Sequence, residues 1–287
     1  MDALAPYRHF GLFREPFTLT PNRELFFPDQ HRKILSAIDY AVQRRDGIVK
    51  VSGEVGTGKT LLCRMLMTSF EASYSAAYIS APRNDPGAIA ASICQDFGLE
   101  LPPAANPMDI LGTFLIQTHR EGRRTVLLID EAQALDRRGL ETVRLLTNYE
   151  TDHEKLLTII LFGQPELDKM LARHDMRQLN QRITFSFRTR PFDGETARRY
   201  LQYRIDQCTD APTPHRLFRP AALRKLAAAS RGVPRMLNAL ADRALLAAYA
   251  EGEAEVGARH VKAAMAEGYG LPRGGLFGWL TSRSVGH

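Results

Sequence analysis

Residues 53–60 read Gly53-Glu54-Val55-Gly56-Thr57-Gly58-Lys59-Thr60, which matches the pattern G-x-x-x-x-G-K-[ST]. Glycines at these positions let successive backbone N–H groups curl around an anion, a path that β-carbons would obstruct. Lys59 then offers a point charge to the β- and γ-phosphates of a nucleotide, and the Thr60 hydroxyl is a Mg²⁺ ligand. A helix that starts there, with Leu61 in its first turn, turns its positive dipole end toward the same anion. The flanks agree with this reading. A strand-like run, GIVKVS (47–52), leads in, and a helix-like run, LLCRMLM (61–67), leads out.

A second acidic signal follows in TVLLIDEAQ (125–133), an apolar run ending in Asp130-Glu131. Carboxylates at the C-terminal end of a buried parallel strand stand where open α/β sheets bind ligands. Asp130 is the candidate to hold Mg²⁺, and Glu131 the candidate to orient and deprotonate the water that attacks a γ-phosphate.

Working outward, short apolar runs alternate with helical patterns. Besides GIVKVS and TVLLID (125–130) the runs are AAYISA (76–81), LTIILF (157–162) and ITFSFR (183–188), which read as strands of a parallel sheet. Asp85 before Pro86, Asn106 before Pro107, and Asp136 read as helix starts. Upstream, an aromatic and proline-rich arm precedes a helix expected from about Asp29 to Arg45, with Ile34, Leu35, Ile38 and Val42 on one face. After Pro191 no strand-like run appears, and four helical stretches rich in Ala and Leu follow. The expected organisation is therefore an N-terminal arm and helix (1–46), an α/β core (47–192), a helical domain (193–268) and a flexible tail (269–287) that holds Trp279 in GLFGWL. Phe26 and Phe27 are expected to pack on the core rather than on a base.

With 44% hydrophobic and 24% charged residues over 287 positions, collagen-like, low-complexity and wholly disordered chains are excluded. Cys63, Cys94 and Cys208 are too few and too far apart for a disulfide framework or a CxxC metal site. The start, MDALAPYRHF, is not a signal peptide, and no run approaches 18 apolar residues. The expectation is a cytoplasmic protein without a membrane span. The net charge is +6, but 13 Lys and Arg stand against 4 Asp and Glu between Arg177 and Arg235, so the rest of the chain is net negative. Such a block can face nucleotide phosphates or DNA.

Taken with FGL…EPFTLTP…FF near the start, FGQPEL (162–167) and LNQRI (179–183), these motifs resemble those of AAA+ ATPases. Within them they resemble the ExeA/GspA–MshM group, which serves type II secretion and type IV (MSHA-like) pilus biogenesis. The resemblance implies a P-loop three-layer α/β/α core with a parallel sheet and a small all-α lid, using ATP and Mg²⁺ in hydrolysis. Gln164 falls at the sensor 1 position, where a polar side chain contacts the γ-phosphate or the attacking water. Arg182, with Arg177 in reserve, falls where the family places an arginine finger directed at a neighbouring subunit. Gly232-Val233-Pro234-Arg235-Met236-Leu237-Asn238 resembles sensor 2, with Arg235 reaching the phosphates. The group implies a homo-oligomer, possession of an inner-membrane pilus or secretion assembly partner, and recruitment to the membrane through that partner. ExeA-like proteins continue into a membrane helix and a peptidoglycan-binding region. This sequence stops at His287, so a direct peptidoglycan role is not expected. TniB-like transposition ATPases share the core, which gives the alternative of an ATP-dependent DNA-binding regulator.

Overall fold

The computed structural model describes residues 2–20, 22–70, 73–209 and 217–266. Trp279 and the expected tail lie outside them. The chain divides into two units, residues 28–190 and residues 1–27 with those from 191 onward.

The first unit is built on five parallel strands in the order β2-β3-β4-β1-β5. These are β1 (Ile48–Gly53), β2 (Tyr74–Ile79), β3 (Arg124–Ile129), β4 (Thr158–Gly163) and β5 (Ile183–Thr189). The order places β3, β4 and β1 in the middle, and their near-continuous Val, Ile and Leu runs are buried on both faces. Side chains alternate between two cores. Leu127, Ile129, Ile159 and Leu161 join one core, under α4 (Pro86–Asp96), α5 (Pro107–Arg120), α6 (Arg137–Leu146) and α7 (Pro165–Leu171). Val49, Val51, Val126, Leu128, Ile160 and Phe162 join the other, under α2 (Gln30–Gln43) and α3 (Lys59–Ser69). Each such side chain contributes about 1.5–3 kcal/mol on burial. The sheet with helices on both faces is a three-layer α/β/α arrangement.

The edge strand differs from the expected buried run. In β5 only Thr189 is buried, Thr184, Ser186 and Arg188 are exposed, and Phe185 stacks on Phe187 over the α2–α3 core. An edge strand has one solvated flank, so alternation replaces continuous burial. The expected helix starts are observed. The side chains of Asp85, Asn106 and Asp136 accept the N–H of Ala88, Met108 and Gly139 at 2.8, 3.1 and 2.9 Å, each satisfying an otherwise orphaned helix donor.

The second unit packs α9 (Gly194–Asp206), α10 (Pro220–Ser230), α11 (Pro234–Ala250) and α12 (Ala258–Ala266) with the short α1 (Ala5–His9). The expected N-terminal segment 1–46 is thus split. Ile34, Ile38, Ala41 and Val42 of α2 bury on the sheet, whereas Tyr7, Phe10, Leu12, Phe17 and Leu25 bury among the C-terminal helices. Phe27 packs edge-on against Phe192, Tyr200 and Tyr203. Arg204 of α9, only 4% exposed, fastens the segment by donating to Pro16 O at 2.5 Å, Thr18 Oγ1 at 3.2 Å and Leu25 O at 3.5 Å. Among the described residues no helix is long and apolar enough to cross a membrane.

Candidate active site

The loop between β1 and α3 curls where glycine permits it. Gly56 and Gly58 take φ of +80° and +99°, left-handed values that a side chain disfavours. Gly58 is also closely covered, since a Cβ there would lie 2.9 Å from Nε2 of His31. That imidazole, buried at the start of α2, hydrogen-bonds Thr57 O at 2.9 Å, so Nε2 donates. Burial pushes its pKa down, which favours the neutral ring. Beneath the loop, the Thr57 hydroxyl donates to Glu54 O at 2.7 Å and meets Thr189 Oγ1 at 2.7 Å. Val55 is exposed at the loop's tip.

Lys59 is 6% exposed and donates to Gly53 O at 2.7 Å and Glu54 O at 3.0 Å. Its ammonium therefore lies against the loop's own backbone. Burial lowers its pKa, while Glu131, Asp130 and Glu54 oppose that shift. Thr60, one residue on, donates to Asp130 Oδ2 at 3.0 Å, and Leu61 follows within α3. Asp130 is 3% exposed at the end of β3. Its Oδ2 also accepts the Tyr78 hydroxyl at 3.2 Å, and Oδ1 accepts the Glu131 N–H at 2.9 Å. The Tyr78 pKa is raised, first by burial and then by the Asp130 charge, which keeps the phenol a donor.

Glu131 has left-handed backbone angles, φ +51° and ψ +36°. Its Oε2 accepts Gln133 Nε2 and, at 3.2 Å, Gln164 Nε2. Gln164 stands between the end of β4 and the first turn of α7, with no side-chain hydrogen bond to that helix. The structure thus gathers Gly53 through Leu61, Asp130, Glu131 and Gln164 at the C-terminal end of the sheet. Four further participants, His31, Tyr78, Gln133 and Thr189, escaped the sequence reading. His31 had a legible signal, because it continues the apolar face 34, 35, 38 and 42 one turn upstream.

Two arginine candidates of the same unit lie elsewhere in it, and a third belongs to the other unit. Arg182 stands at the opposite end of β5 from Thr189, donating to Asn148 Oδ1 at 2.7 Å and to Thr147 Oγ1. Arg177 begins the short helix α8 (Arg177–Asn180). Arg235 is exposed in the first turn of α11, in the other unit. The turn before it is set by Gly232, at φ +73°, where a Cβ would fall 1.8 Å from Phe192 O.

Residues 42–171 match a family model described as an AAA domain. The parallel order with its phosphate-type loop between β1 and α3 decides the architecture. The fold is the P-loop AAA+ fold. The chain is 38% identical over 251 residues to General secretion pathway protein A of Aeromonas hydrophila, across 86% of this chain and 45% of that protein. It therefore spans under half the length of that relative. Among solved structures it resembles the ORC2 protein of Aeropyrum pernix in ADPNP and ADP complexes, with a TM-score of 0.67 and 18% identity over 91% of this chain and 74% of that one. It also resembles Cdc6p of Pyrobaculum aerophilum, with a TM-score of 0.66 and 18% identity over 92% and 72%. The Thermotoga maritima RuvB branch migration motor gives a TM-score of 0.54 and 15% identity over 88% and 73%. At these identities the solved structures speak to the fold alone.

Proposed function

We propose that this chain binds ATP with Mg²⁺ and hydrolyses it, as an AAA+ ATPase of the ExeA/GspA–MshM group. The observation that carries the reading is the meeting of the Thr60 hydroxyl and the Asp130 carboxylate beside a glycine-turned loop whose lysine is buried against it. The two oxygens are hard ligands that suit Mg²⁺. Among the described residues no cluster of three or more His, Cys, Asp or Glu is placed to hold a metal alone, so nucleotide oxygens would complete the shell. Mg²⁺ there supplies charge neutralisation for the phosphates.

The chain's own residues supply the rest. Backbone N–H groups from Gly53 to Leu61 bind the phosphates, and Lys59 exchanges its carbonyl contacts for phosphate oxygens. Glu131 takes the proton of the attacking water, and Gln164 orients water and γ-phosphate through its amide. Arg182 faces the nucleotide of an adjacent protomer in a homo-oligomer, and Arg235 reads the phosphates from the helical lid. The relative's name places General secretion pathway protein A in secretion. By that likeness we assign this chain to assembly of a type II secretion or MSHA-like type IV pilus machine, through an inner-membrane partner that recruits it from the cytoplasm.

Calorimetry with Lys59→Ala is expected to show no ATP binding. Glu131→Gln is expected to bind ATP normally and to turn over about 10²–10⁴-fold more slowly. Parental turnover in Glu131→Gln would remove the base from this scheme. ATPase activity that is unchanged by duplex DNA supports the secretion assignment, whereas stimulation that fades between about 50 and 200 mM salt supports the DNA-regulator alternative.

A further inference from the structure

Gln133 has no role in that scheme, yet both halves of its amide are engaged. Nε2 donates to Glu131 Oε2, while Oε1 accepts the backbone N–H of Gln164 at 2.9 Å. Gln164 Nε2 donates to the same Glu131 oxygen at 3.2 Å, which closes a ring of three residues, through the Gln164 backbone, across the ends of β3 and β4. Glu131 needs external fastening, because its left-handed backbone belongs to neither the strand before it nor the 3₁₀ turn Ala132–Ala134 after it. Gly163 lies beside the ring, and Leu167 leaves no room for a side chain there. A Cβ there would lie 2.7 Å from Leu167 Cδ2 and 3.3 Å from Gln133 Oε1. A side chain that only filled space would not need both of its polar atoms matched to two groups assigned to the chemistry.

We infer that Gln133 is a positioning residue for hydrolysis, tying the Glu131 carboxylate and the Gln164 loop into one unit so that base and γ-phosphate contact keep a fixed separation. This rests on the assignment of Glu131 as the base. Gln133 touches neither nucleotide nor water in this account. It acts through its two neighbours, so its loss should slow turnover and leave ATP binding alone.

The experiment compares Gln133→Leu, which keeps volume but removes both hydrogen bonds, with the parent and with Glu131→Gln. Single-turnover hydrolysis and calorimetric ATP affinity are measured for each, and then for the double variant. The expected result is a loss of about 10–100-fold in the hydrolysis rate, of the size that small misplacements of a reacting group produce. The ATP dissociation constant should stay within about twofold. In the Glu131→Gln background Gln133→Leu should cause no further loss, since residues acting as one unit are not additive. A parental rate in Gln133→Leu overturns the inference. So does a rate loss matched by an equal loss of affinity, or the same fractional loss with and without Glu131. If Gln133→Leu does not fold, Gln133→Glu serves. It keeps the acceptor for Gln164 and sets a carboxyl against Glu131, and a rate equal to the parent's overturns the inference equally. A parental rate in Glu131→Gln itself removes the base assignment, a failure distinct from any result at Gln133.

Discussion

The two units spend their buried polar side chains differently. In the α/β unit Thr57, Lys59, Asp130 and Thr189 are buried at one end of the sheet; Thr57, Lys59 and Thr189 bond the loop's backbone and one another, and Asp130 accepts from Thr60, Tyr78 and the Glu131 N–H. In the helical unit Arg204, Asn238 and the Tyr7–Asp242 pair join segments far apart in sequence. One set holds a loop in a shape that a triphosphate can exploit. The other holds the first residues of the chain against the last helices. Buried polarity alone therefore does not mark a site; the partners decide, and substitutions that move binding without stability, or the reverse, separate the two uses.

The largest effect is expected from Arg204→Met. The side chain's guanidinium is charged, nearly inaccessible and satisfied by two carbonyls and a hydroxyl. Its removal leaves those acceptors unpaired, and losses of this kind cost about 3–5 kcal/mol. Urea unfolding should show the loss, while ATP affinity measured well below the midpoint stays within about twofold. An affinity loss exceeding tenfold under folding conditions would show that the helical unit's polar contacts serve the nucleotide as well.

Gly58→Ala tests the other set. The substitution forces alanine to a φ of +99° and sets a Cβ against His31 Nε2. Backbone strain of this type costs about 1–3 kcal/mol, and here it falls on the amides proposed to bind phosphate. ATP affinity should drop more than tenfold, with a smaller change in thermal midpoint. Equal affinity in the variant would mean that the loop's curvature is not what binds.

How far these positions could be read beforehand follows the same division. The glycine spacing, the strand–loop–helix flanks, the capping Asp and Asn residues and the acidic end of β3 are local patterns, legible because a few adjacent residues carry the whole physical requirement. Thr189, Tyr78 and Gln133 were not legible as participants. Thr189 and Tyr78 belong to segments whose own pattern only announced a strand or its end, and Gln133 trails an acidic motif that drew attention to its carboxylates. The partners of all three across the sheet depend on the strand order β2-β3-β4-β1-β5. The attachment of residues 2–27 to the helical unit was invisible for the same reason. Aromatic residues and prolines announce burial without naming the surface that receives them.

Asp242 gives a smaller effect with a definite sign. Burial raises its carboxyl from 3.8 to about 6, against the opposing hydrogen bond from Tyr7. Between about pH 4 and pH 6 the native state keeps a proton that the unfolded chain has released. Native stability therefore falls as pH rises through that window. Asp242→Asn removes the ionisation and still accepts the Tyr7 hydroxyl. It should match the parent near pH 4 and exceed it by about 1–3 kcal/mol above pH 6, measured by urea unfolding at both pH values. A gain that is independent of pH would show that relief of ionisation is not its cause.

The smallest expected effect is the most discriminating, because Tyr78→Phe deletes one hydroxyl and opens almost no cavity. That hydroxyl is one of two donors on Asp130 Oδ2, the other being Thr60. A net hydrogen bond of this kind is worth about 0.5–1.5 kcal/mol. If the hydroxyl aims the carboxylate at Mg²⁺, the variant should lose a few-fold in affinity for ATP with Mg²⁺ and nothing for ATP without it, since orientation of a ligand by its hydrogen-bond partner is felt only when the metal is bound. If the hydroxyl merely closes a structural contact, as the Tyr7 hydroxyl does on the half-buried Asp242, unfolding free energy should fall by the same amount whether or not nucleotide and metal are present. The paired titrations therefore place Tyr78 with one set of buried polar groups or with the other.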